Sequence, residues 1–70
     1  MAYNRILREW TTADGRELVV LDMRDIFKNN FTVEVEVAGG DFVMIHCSQS
    51  LNDCIGFAER YIERGKSNVY

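Results

Sequence analysis

Phe31-Thr32-Val33-Glu34-Val35-Glu36-Val37 is the stretch on which the reading of this chain turns. Apolar and polar residues alternate with a period of two, the pattern of a strand with one buried face and one wet face. The neighbouring apolar segments keep no such discipline. When the valines of 31–37 face inward, Leu18, Val20, Val43, Ile45 and Cys47 are left on the side that carries Glu34 and Glu36. A sheet that is greasy on both sides, with one helix to cover it, predicts a surface made for a partner.

The turns around this strand define a meander. Asp14-Gly15 is a strong hairpin signal, because a type I′ turn needs positive φ at both central residues. A two-residue loop there pairs Trp10 with Val19, Arg8 with Leu21 and Ile6 with Met23. It puts Ile6, Trp10, Val19, Leu21 and Met23 on one face, with the Arg8 stem lying over apolar surface. Lys28-Asn29-Asn30 is the next break, since asparagine accepts left-handed backbone. A three-residue loop sets Phe27 against Phe31, Met23 against Val35 and Leu21 against Val37. The outer face then has Arg24 beside Glu34 and Asp22 beside Glu36. A short helical turn across 24–27 is the rival for this stretch. Gly39-Gly40 makes the third turn, matching Val37 with Phe42, Val35 with Met44 and Val33 with His46. The predicted strands are 3–12, 16–25, 31–38 and 41–48.

The helix is predicted over 51–64. Ser50 is its N-cap, and Asp53 three residues later completes a variant capping box. Leu51, Cys54, Ile55, Ala58, Tyr61 and Ile62 form one stripe at helical spacing, with Phe57 on its flank. Gly65 is the expected stop, with Arg64 beside the negative end of the dipole and 66–70 as a tail. The predicted fold is α+β: a four-stranded antiparallel meander with one C-terminal helix packed on one face (ββββα), a single domain over 1–70.

Seventy residues with 47% apolar content exceed what so small an interior can hold. A chain of this size buries only about 60% of its unfolded surface. Self-association or a stable complex is therefore expected, a homodimer being the simplest form. The net charge of −3 and pI of about 4.9 argue against general nucleic-acid binding, where attraction to phosphate supplies most of the affinity. No apolar run is long enough to span a bilayer, and Met1 to Trp10 lacks the layout of a signal peptide. The expected location is the cytoplasm. Cys47 and Cys54 are read as free thiols on opposite sides of the sheet.

No motif carries catalysis, a metal or a cofactor. His46 and Cys47 alternate to opposite faces. His46 and Cys54 approach at the sheet–helix junction without any oxyanion loop, so a strand-end histidine and a small core cysteine are the expected roles. One histidine and two cysteines lack metal-ligand spacing. Gly39-Gly40 has neither the lysine nor the following helix of a phosphate cradle. Arg5, Arg8, Tyr3 and Trp10 form a small basic–aromatic patch, but the register places Trp10 in the core. Arg60, Arg64 and Lys66 read as a solvated helix face.

The expected function is a non-enzymatic protein-binding module. Its contact surface is the outer sheet face, with Leu18, Val20, Asp22, Glu34, Glu36, Val43 and Ile45 as the binding residues. Acidic groups would guide approach and aliphatics would supply affinity. The helix's exposed side is the second choice. The alternatives are a structural homodimer stacked through the same face, and a nucleic-acid binder acting through the arginines. In size and architecture, a short acidic hairpin sheet followed by a helix capped at Ser50-Leu51-Asn52-Asp53 and running through Ala58-Glu59-Arg60-Tyr61 resembles small phage-encoded inhibitors, anti-CRISPR proteins among them. That resemblance implies a protein that sterically blocks a host nucleoprotein complex, in the host cytoplasm.

Overall fold

The computed structural model describes residues 5–67. Four strands, β1 (Ile6–Thr11), β2 (Glu17–Asp22), β3 (Phe31–Glu36) and β4 (Phe42–Ser48), form one antiparallel sheet in the order β1-β2-β3-β4. The helix α1 (Leu51–Ser67) lies across one face and touches all four strands. This is the α+β ββββα layout expected from the sequence. The parts of the predicted first strand before residue 5 and of the predicted tail after residue 67 lie outside the described residues.

The first turn departs from expectation, and the departure reorganises the sheet. Thr12 N donates to Arg16 O (2.8 Å) and Gly15 N to Thr12 O (3.0 Å), so the loop is the three residues Ala13-Asp14-Gly15. In this turn only Gly15 has positive φ, at 87°. That is a three-residue hairpin loop with glycine at the left-handed position, not a type I′ turn. One extra loop residue pairs Trp10 with Leu18 in place of Val19. Side chains alternate between faces, so a slip of one residue turns the whole of β2 over. Leu18 and Val20 go under the helix, while Val19 and Leu21 go to the other side.

The second connection takes the rival form. Met23 N donates to Asn30 O, and Phe27 N to Met23 O (2.8 Å) as in a helical turn. Lys28 and Asn29 then take left-handed backbone, at φ 49° and 60°. The longer loop pairs Leu18 with Val35, Val20 with Val33 and Asp22 with Phe31. This shift is also odd, so β3 keeps its valines inward although β2 has turned. The predicted Arg24–Glu34 and Asp22–Glu36 neighbours do not form. Arg24 instead bonds Asp22, Nη2 to Oδ2 at 2.8 Å, and its guanidinium lies 4.8 Å from the centre of the Phe31 ring.

Between β3 and β4, Val33 pairs with His46 as predicted. A bulge then leaves Ile45 as an extra residue, so Val35 meets Val43 and Glu34 meets Met44. A bulge lets two successive side chains share a face. Ile45 packs on the core and His46 stacks on Phe57 of the helix, with ring centroids 4.3 Å apart.

The core is small: Leu18, Val20, Phe31, Val33, Val35, Cys54 and Ala58, flanked by Trp10, Leu51, Tyr61 and Ile62. The helix stripe is as the spacing predicts, except that Ile55 is only half-buried and stands outside this cluster. Ser50 caps the helix, its Oγ accepting from Asp53 N at 3.2 Å. Gly65 does not stop the helix, which continues to Ser67.

Candidate protein-docking face

The side of the sheet away from the helix is built in three rows. Thr11, Glu17, Glu36 and Phe42 form the first, by strand pairing and by the bond from Glu17 N to Glu36 Oε1 (3.1 Å). Glu9, Val19, Glu34 and Met44 form the second, and Leu21, Thr32 and Cys47 the third. The segment 23–27 folds over the end of the third row. Met23, Ile26 and Phe27 line, with Thr32, Glu34 and Met44, an open apolar hollow of about 330 Å³. Ile26 is 64% exposed and Met44 50%, whereas Thr32 and Val19 are buried.

Of the seven predicted binding residues, Glu34 and Glu36 lie on this face. The others do not. Leu18 and Val20 are fully buried beneath the helix and cannot meet a partner. Asp22 pairs opposite the core residue Phe31, on the helix side, and is held by Arg24. Ile45 is drawn onto the core by the bulge. Val43 pairs opposite Val35, on the helix side at the sheet's edge. The face is nonetheless apolar, through Leu21, Met23, Ile26, Phe27, Phe42 and Met44. Alternation alone misassigned these residues. The available signal was Gly15 as the third residue of a loop, which sets the β2 register.

Four of the five aspartates form ion pairs. Asp14 pairs with Arg16, Asp22 with Arg24, Asp25 with Arg5 and Asp53 with His46. Each of these carboxyls is held below its usual range. The hydrogen bond from Arg24 leads at Asp22, bringing it to about 2. The Thr12 hydroxyl leads at Asp14, ahead of Arg16; Arg5 leads at Asp25 and His46 at Asp53. Glu9, Glu17, Glu34 and Glu36 form no ion pair among the described residues, and all four surround Val19 on the outer face. Of the basic–aromatic patch, Tyr3 lies outside the described residues and the other three are internally engaged: Arg5 bonds both oxygens of Asp25, Arg8 lies 5.6 Å from the Trp10 ring centre, and Trp10 packs on the core.

The junction around His46 has the wrong order for nucleophilic catalysis. His46 Nε2 lies 3.1 Å from Asp53 Oδ2, and the Ser48 hydroxyl also bonds Asp53. The carboxylate thus sits between hydroxyl and imidazole, whereas activation of a hydroxyl requires the imidazole between them. Ser48 Oγ also accepts from Ser50 N (3.0 Å), so Asp53 supplies no reciprocal capping-box bond there. The Cys54 thiol donates to Phe31 O at 3.5 Å, and burial pushes its pKa up, away from thiolate. Cys47 is exposed on the opposite side of the sheet. Among the described residues no group of His, Cys, Asp or Glu is placed to hold a metal ion, and no helix is long and apolar enough to cross a membrane.

No family model matches this chain, and neither a curated protein nor a solved structure gives a significant match.

Proposed function

We propose that this chain is a non-enzymatic protein-binding module that docks its outer sheet face on a basic, partly apolar protein surface and blocks that surface sterically. One observation carries the reading: four glutamates that form no ion pair among the described residues share one sheet face with an exposed apolar hollow, which Glu34 lines. Acidic groups in such an array raise the rate of encounter with a basic partner, and the apolar hollow supplies residence time. The same four carboxylates oppose an approaching phosphate backbone. They also oppose a second copy stacked face to face, which would set eight like charges together. The module's size, acidity and ββββα build fit an inhibitor of the small phage-encoded kind, with a host nucleoprotein complex as the basic target.

The test is capture from a host lysate by the immobilised protein, with charge reversals on each side of the molecule. Glu34→Lys with Glu36→Lys is expected to abolish capture of basic proteins. Glu59→Lys, on the exposed side of the helix, is expected to leave it unchanged. Identical capture by both variants, or loss only with Glu59→Lys, would refute the assignment of the face.

A further inference from the structure

The exposed apolar residues of β4 do not share a face. Phe42 (42% exposed) and Met44 (50%) are on the outer side, opposite Glu36 and Glu34, while Val43 (44%) is on the helix side, opposite Val35. A partner laid on the outer face covers the first two and misses the third. What the three have in common is the open edge of the sheet, because β4 is a terminal strand. Edge strands ordinarily carry charge or proline to prevent pairing. The other edge strand, β1, has Arg8 and Glu9. β4, from Phe42 to Ser48, contains no Lys, Arg, Asp, Glu or Pro. Among the described residues its one protective device is the bulge at Ile45, which lies beyond the Phe42–Met44 stretch.

We propose that a second copy of this chain pairs antiparallel along the Phe42–Met44 edge, about a two-fold axis at Val43. This centre satisfies the faces on both sides. Val43 meets the partner's Val43 on the helix side, and Phe42 meets the partner's Met44 on the outer side, an aromatic–thioether neighbour pair. A centre at Ile45 does not work, because the bulge gives the two halves of β4 opposite facing. An uncharged, self-complementary edge needs no counter-charge from a foreign strand, which favours a second copy as the occupant. The pairing joins two four-stranded sheets into one of eight strands, with both helices on the same side. It leaves the outer faces open and does not depend on what they bind.

Cysteine cross-linking separates this arrangement from the alternatives. In a Cys47→Ser background, Val43→Cys is expected to form an intermolecular disulfide under mild oxidation. Ile26→Cys, on the outer face, is expected to stay monomeric. Light scattering with size exclusion is expected to give dimer mass for the unmodified protein and monomer mass for Val43→Lys, with the same circular dichroism for both. Cross-linking through Ile26→Cys instead would mean a face-stacked dimer, and monomer mass for the unmodified protein would mean no dimer. Dimer mass retained by Val43→Lys would place the contact elsewhere. Each of these three outcomes overturns the proposal.

Discussion

Truncating Leu18 tests the register on which the whole description of the two faces depends. The side chain is fully buried, with Trp10 on one neighbouring strand, Val35 on the other, and Cys54 and Ala58 of the helix in the same cluster. Leu→Ala at such a site costs about 3 kcal/mol, the sum of lost transfer energy and a cavity that cannot fully collapse. A domain of this length has about 4–10 kcal/mol of stability in all, so the loss is a large fraction of it. With a urea slope of about 1 kcal/mol/M for so small a domain, the unfolding midpoint falls by about 3 M. Met44→Ala is the control: half of that side chain is already in water, and the expected cost is under about 1 kcal/mol. The assay is urea unfolding followed by circular dichroism, which avoids the local sensitivity of Trp10 fluorescence. Had β2 taken the type I′ register, Leu18 would be the exposed residue. A Leu18→Ala midpoint within experimental error of the unmodified protein, or a larger loss with Met44→Ala, would therefore refute the register.

Four further outcomes are expected. Ile45→Glu places a carboxylate against the core, so it should lower the thermal midpoint sharply in a melt. Gly15→Ala should destabilise by about 1 kcal/mol or more, because its φ of 87° is left-handed and a Cβ there meets nothing within 4 Å, so only backbone strain acts; denaturant unfolding of this variant beside Gly15→Asn, which should be milder, checks it. Asp22 titrates at about 2 in the folded state against an ordinary value of about 4, so its contribution to stability is complete above about pH 4 and disappears as pH falls toward 2; Asp22→Asn should flatten the acid limb of a stability–pH profile across that window. Cys47 should react rapidly with an alkylating reagent while buried Cys54 reacts only on unfolding, as mass spectrometry of the labelled protein would show.

The element order was legible because it rests on signals that survive ignorance of register. Ser50 announces the helix, the spacing from Leu51 to Ile62 gives its buried stripe, and alternation at 31–37 identifies β3 and its inner face. The orientation of β2 was not legible from composition. Leu18, Val19, Val20 and Leu21 are apolar at four consecutive positions, so the strand fits either way up. Its facing is decided by whether the preceding loop has two residues or three. The same ambiguity holds at Phe42–Ile45, where a bulge that no residue type announces turns Val43 inward and Met44 outward. The candidate site followed these errors: Glu34 and Glu36, on the alternating strand, were placed correctly, while Leu18, Val20 and Ile45, on the uniformly apolar ones, were not.

The pairing of four aspartates, beside outer-face glutamates that pair with no cation among the described residues, has a consequence for how this surface can change. Asp14, Asp22, Asp25 and Asp53 act in the architecture through short tethers to Arg16, Arg24, Arg5 and His46. Among the described residues Glu9, Glu17, Glu34 and Glu36 pair with no cation, although Glu36 accepts a hydrogen bond from Glu17 N. Substitution among those four is expected to change the charge of the outer face at less cost to the fold than substitution of the paired aspartates. On the proposed docking role, the charge of this patch is therefore free to vary without compensating mutations in the interior.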